Sequence, residues 1–189
     1  MNQPTQTIAP KRRRRRIGVL SAAATAVAVG LIAIPNVAQA YAYENSSWGN
    51  ANLRIYVATT SGKYRTAINQ ASSNYTSATD LNLTNTTTGG PSFSAADVNN
   101  GADGYEGWTD WSAPVGRTIS AHSTVNRHYV SGKTTANIKV IWLHELGHGL
   151  GLAHVTPVAR VMHNPATGAY NAGVRNLTSD EVAGINKKY

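Results

Sequence analysis

His144-Glu145-Leu146-Gly147-His148-Gly149-Leu150-Gly151-Leu152-Ala153-His154 is the stretch on which the reading of this chain turns. It has the form H-E-x-x-H-x-x-G-x-x-H. On an α-helix four residues advance about 400°, so His144 and His148 share one face, a turn apart. Two imidazoles placed in that way can both reach one zinc ion at bonds of about 2.0–2.1 Å. Glu145 lies about 60° around the helix from His148, where its carboxylate can take a proton from a water instead of binding the metal. A straight helix would carry His154 about 15 Å along the axis from His144. Gly151 can adopt positive φ, end the helix and let the chain bring His154 back. Three protein ligands with a fourth position open is the arrangement of a catalytic zinc, whereas structural zinc is normally closed by four.

Working outward, Val161-Met162-His163-Asn164-Pro165 follows the motif, and Leu177-Thr178-Ser179-Asp180-Glu181-Val182-Ala183-Gly184-Ile185-Asn186 lies near the C-terminus. Before the motif stands Thr118-Ile119-Ser120-Ala121-His122. With the eleven-residue motif, these segments resemble the metzincin metalloproteases and, within them, the matrixins, the matrix-metalloprotease branch. The resemblance is clear over roughly residues 118–189 and is one of element order alone between 41 and 117. It implies an α+β fold: a twisted mixed sheet with an active-site helix, then a small loop-rich lower part with a Met-turn and a C-terminal helix. Met162 would pack beneath the zinc ligands without touching the ion. Residues 118–122 would be an edge strand for an extended peptide, with Ala121 among its contacts. Asn164, Pro165 and the loop to Tyr170 would wall the S1′ pocket. A gluzincin would need a glutamate ligand downstream, but Glu181, the candidate, falls inside the matrixin-like terminal helix. If the histidines were ordinary core residues, five specified positions and a downstream methionine would coincide by chance.

The basic character of the chain comes largely from its beginning. Of the net charge of +8, Lys11 and Arg12 to Arg16 supply six, leaving 11 basic against 9 acidic side chains downstream. That remainder of +2, without a basic patch of interleaved aromatics, excludes a nucleic-acid reading. After the arginines come 18 uncharged residues, Ile17 to Ile34, and then Ala38-Gln39-Ala40. This is the pattern of a secretory signal peptide cleaved after Ala40, with a twin-arginine variant of export left open. An uncleaved membrane anchor is the competing reading, but the stretch is short and diluted by alanine. The expected organisation is therefore a signal at 1–40 and a zinc metalloprotease domain at 41–189, a secreted monomer with no stable membrane association. The absence of cysteine removes any disulfide framework, and with it the thiolate latency switch of many matrixins.

Along 41–189, Leu53–Val57 alternates as a strand, Tyr64–Ala78 carries an apolar helical face at Ile68, Ala71 and Tyr75, and 80–88 returns to strand. Residues 97–111 read as a short strand within a long surface loop. Arg117–Ser123 and Val125–Val130 are strand candidates. The zinc helix begins near Thr135, and residues 178–188 form the last helix, with Thr178 or Ser179 as N-cap. By resemblance to matrixins, His122 and His128 occupy positions used for a structural zinc. Gly101 stands where another ligand should be, so one zinc is expected. Calcium has donors in Asp103 and Asp110, but no loop pattern assigns a site. The function expected is zinc-dependent endopeptidase chemistry with Glu145 as general base and acid. Its rivals are a non-catalytic zinc-containing binding module and a membrane-tethered surface protease.

Overall fold

Alternating burial of Leu53, Ile55 and Val57 seats the strand Asn52–Val57 (β2) at the centre of the molecule. The computed structural model describes residues 41–59 and 61–189, so the signal-peptide reading of 1–40 lies outside the described residues. In chain order the remaining elements are β1 (Ala42–Tyr43), α1 (Lys63–Ala78), β3 (Asn82–Thr86), β4 (Phe93–Val98), β5 (Gly107–Ser112) and β6 (Ser120–Asn126). They continue with α2 (Arg127–Val130), α3 (Thr135–Gly149), β7 (Leu152–Ala153), α4 (Ala166–Asn171) and α5 (Ser179–Lys188). Five strands form one sheet in the order β3-β2-β4-β6-β5. All neighbours in it are parallel except β5, which runs antiparallel to β6 at one edge. The fold is thus α+β with a mixed sheet.

Helix α1 buries Ala67, Ile68, Ala71, Ser72 and Tyr75, the face that the helical spacing marks out. It packs on α3, where the Tyr75 hydroxyl donates to Leu143 O at 2.8 Å. Helix α3 is buried on every side from Val140 to Gly149, as expected of a helix enclosed between a sheet and other helices. Thr134 caps its start by accepting from Asn137 N. At its end Gly151 takes φ 87°. An added Cβ there would collide with the Ser46 carbonyl oxygen, so the turn needs glycine twice over.

Three expectations are corrected. Residues 118–122 do not form an edge: β6 lies between β4 and β5, and the free edge is β5. Of residues 125–130, expected as a strand, only Val125 and Asn126 belong to one, the end of β6, and 127–130 form α2. Asn126 ends β6, and its side chain accepts from His128 N at 3.1 Å, capping α2. The same buried amide donates to Gly101 O and to Asp103 Oδ1, fixing the loop that leads into β5. Finally, β4 was not foreseen. A second small sheet pairs β1 with β7 and ties the segment after residue 40 to the chain just beyond the zinc-motif helix. Among the described residues no helix is long and apolar enough to cross a membrane.

Candidate metal centre and cleft

The turn at Gly151 brings His154 back beside the helix. The Nε2 atoms of His144, His148 and His154 lie 3.1, 3.2 and 3.0 Å apart. An ion held tetrahedrally at about 2.0–2.1 Å would separate its nitrogens by about 3.3–3.4 Å, so the triangle fits zinc within a few tenths of an ångström. The opposite ring nitrogens set the tautomers. His144 Nδ1 donates to Val161 O at 2.8 Å, and His148 Nδ1 donates to Leu152 O at 2.9 Å. Both Nε2 atoms are thereby left as lone-pair donors aimed at a common point, which a cation reconciles. Burial lowers the pKa of His144 to about 3 and of His148 to about 4, and lowers that of the more exposed His154. All three rings are neutral at pH 7, the form that binds metal. Among the described residues these three are the group of His, Asp and Glu side chains close enough to hold an ion.

Glu145 is buried beside them. Burial pushes its carboxyl up to about 8, the Thr109 hydroxyl opposes that rise, and the charge of Glu106 adds to it. Thr109 Oγ1 stands 2.9 Å from Glu145 Oε2. Met162 is buried against Gly147 of α3, and its N–H donates to the Glu181 carboxylate at 3.3 Å. Glu181 also accepts from Thr178 N at 3.0 Å in a capping box, so α5 holds the methionine bend from below. A Cβ on Gly147 would collide with the Met162 sulfur, so a larger residue there requires the methionine to shift.

A cavity of about 250 Å³ opens at the three histidines, walled by Glu44, Tyr105, Gly107, Trp108, Thr109, Trp111 and Asn164. A smaller one, about 60 Å³, adjoins Tyr105, Gly107 and Asn164 and includes Pro165 and Glu106. Glu106 closes that end. It accepts from Thr167 N at 3.1 Å and pairs with Lys133 at 3.1 Å. Asn164 and Pro165 therefore flank the cleft, joined by a cis peptide bond. Tyr170 does not. Its ring lies under the Arg175 guanidinium, 3.8 Å away, and its hydroxyl is 3.4 Å from Thr134 Oγ1. Ala121 is also apart, buried in the internal strand β6 with partners on both sides.

Larger depressions lie elsewhere. One of about 500 Å³ runs along α1 among Asn, Ser and Thr side chains, and one of about 480 Å³ lies on the outer face of the sheet. His122 faces the latter, its Nδ1 2.6 Å from Ser94 Oγ. His128 stacks edge-on against Tyr129, and the Asp103 carboxylate is taken up by Asn100, Asn126 and the Tyr105 amide. These three side chains are not brought together.

The matrixin family model matches residues 47–189, over three quarters of the chain and every residue of the site but Glu44. The chain belongs to the matrixin family. Matrilysin of Rattus norvegicus is 34% identical over 70 residues, which are 36% of this chain and 26% of that protein. The matched stretch thus spans about a quarter of the relative's length. In this matrixin, sequence reasoning missed Glu44, Tyr105, Trp108, Thr109 and Trp111 as cleft residues. The alternation Gly107, Thr109, Trp111 against Trp108, Asp110, Ser112 was a usable strand signal. A single glutamate at residue 44 carries no such signal.

Proposed function

We propose that this matrixin is a secreted zinc endopeptidase, released by cleavage after Ala40, whose catalytic domain is residues 41–189. One observation carries the reading. A triangle of imidazole nitrogens sits beside a buried carboxylate, directly under the free edge of β5. Zinc held by His144, His148 and His154 would supply acidity to a water and draw charge from a scissile carbonyl. Glu145 accepts the proton of the attacking water and then hands it to the leaving amine. The Thr109 hydroxyl steadies that carboxylate, and the high proton affinity conferred by burial suits a base working near neutral pH.

The unpaired backbone groups of β5 can take an extended peptide as an added strand, which requires residues on both sides of the cut and so favours an endopeptidase. Antiparallel to β5, the peptide enters at Trp111 and leaves at Gly107, beside Asn164 and Pro165. The narrow cavity there points to a small side chain after the scissile bond. Protein recovered from the medium, incubated with casein with and without a zinc chelator, tests this. Cleavage that chelation stops and zinc restores is expected. Zinc-loaded protein that leaves casein and a mixed peptide library intact would overturn it. N-terminal sequencing should begin at Tyr41.

A further inference from the structure

Glu44 forms part of the cleft wall, and the chemistry described above does not use it. Its position is fixed by the backbone. Glu44 N donates to Gly151 O at 3.0 Å, and β1, just before it, pairs with β7. The side chain is 30% exposed, with Oε1 3.9 Å from His148 Nδ1. That nitrogen is already committed to Leu152 O. Among the described residues, no lysine or arginine nitrogen comes within 4.0 Å of the carboxylate. Lys188 reaches only the Glu44 carbonyl oxygen, at 3.4 Å, and its ammonium lies over the Tyr43 ring at 4.3 Å. The carboxylate thus faces the cleft with no lysine or arginine in direct contact, Lys188 feeling its charge only from beside the Glu44 backbone.

Trp111 shares that end of the cleft. Its ring lies parallel to that of His148, centroids 6.4 Å apart, and it is 38% exposed. Trp111 stands at the C-terminal half of β5, whereas Thr109 and Gly107 stand over Glu145 towards Asn164. A peptide antiparallel to β5 brings its residues before the scissile bond to Trp111 and Glu44. We infer that Glu44 and Trp111 form a subsite for a cationic side chain, lysine or arginine, N-terminal to the scissile bond, an inference that rests on the endopeptidase reading. The carboxylate pairs with the charge while the indole covers the aliphatic stem and offers its face to the cation.

The test uses exported, zinc-loaded protein and peptides carrying lysine, or uncharged norleucine, in turn at each of three positions before the cut. At one position lysine is expected to raise kcat/KM about fivefold over norleucine, the size of a part-exposed ion pair. In about 1 M salt, where charges are screened beyond about 3 Å, the ratio should fall towards one. Glu44→Gln should bring it to about one, and Glu44→Lys below one. The ratio cancels any general effect of these changes on the metal site. Binding of the same peptides to the Glu145→Gln protein, by calorimetry, reads the preference without turnover. A ratio of one at every position, or one that Glu44→Gln leaves intact, overturns the subsite. If Glu44→Gln fails to fold, a ratio insensitive to salt in the parent protein overturns it equally. Lysine preference in binding, with no peptide cut, supports the subsite and removes the endopeptidase reading instead.

Discussion

At Glu145 one side chain answers two opposed demands. Burial favours its neutral form, while proton abstraction needs the carboxylate, which the Thr109 hydroxyl and an adjacent cation both favour. Glu145→Ala should leave zinc content unchanged and reduce kcat/KM by at least about 100-fold, the scale of a lost general base. Equal turnover in the variant would remove Glu145 from the mechanism. His154→Ala should instead weaken zinc binding, because two protein ligands remain; competition with a colorimetric chelator measures this. Gly147→Ala places a methyl group against the Met162 sulfur. A loss of about 1–3 kcal/mol in urea unfolding is expected for such overpacking, and an unchanged midpoint would show that the methionine yields freely. The histidines and Gly151 were legible in the sequence because their placement is local, set by the helical period and one turn. Glu44 was not, because its contact with His148 spans 104 residues and depends on β1 finding β7.

At the scale of elements, β5 decides how a substrate is held. Its outer backbone groups are unpaired, since the strand ends the sheet. A peptide N-methylated at one nitrogen facing β5 should be cut about tenfold more slowly than its parent, the upper range for one net hydrogen bond. Methylation at the neighbouring nitrogen, which points away, should cost much less. Indifference to both positions would place the substrate elsewhere. Resemblance of a short segment does not order a sheet, and 118–122, likened to the matrixin edge strand, lead into and begin the internal strand β6. The true edge was hidden in a stretch rich in Gly, Asp and Trp. Residues 125–130 were misread for a nearer cause: Val125 and Val130 suggest β structure, but the Asn126 side chain offers the His128 amide a better partner. The matrixin-like order of helices was plain because α1 and α5 carry clean faces or caps, and α3 carries the motif.

For the molecule as a whole, stability has to come without covalent cross-links, as the chain has no cysteine. An ion bound to the native state alone adds to stability by mass action, about 4 kcal/mol at a thousand times its Kd. Chelation should therefore lower the thermal midpoint reversibly, and a midpoint indifferent to chelator would mean that the site is held by packing alone. Besides the buried core, a clasp joins the two ends of the described chain. Tyr41 packs on Gly184, Tyr43 donates to Gly184 O, Trp48 Nε1 donates to Gly149 O, and Tyr189 donates to Leu150 O. The Tyr43–Gly184 bond and a further one, from Trp48 N to the Tyr189 hydroxyl, each span 141 residues. This clasp makes the C-terminal helix a second fastening for the flank that carries Glu44. The β1–β7 pairing and the Glu44 N–Gly151 O bond hold that flank on one side, and a chain shortened before Gly184 loses both of the long-range bonds on the other. Removal of α5 should therefore loosen the wall of the cleft that Glu44 occupies.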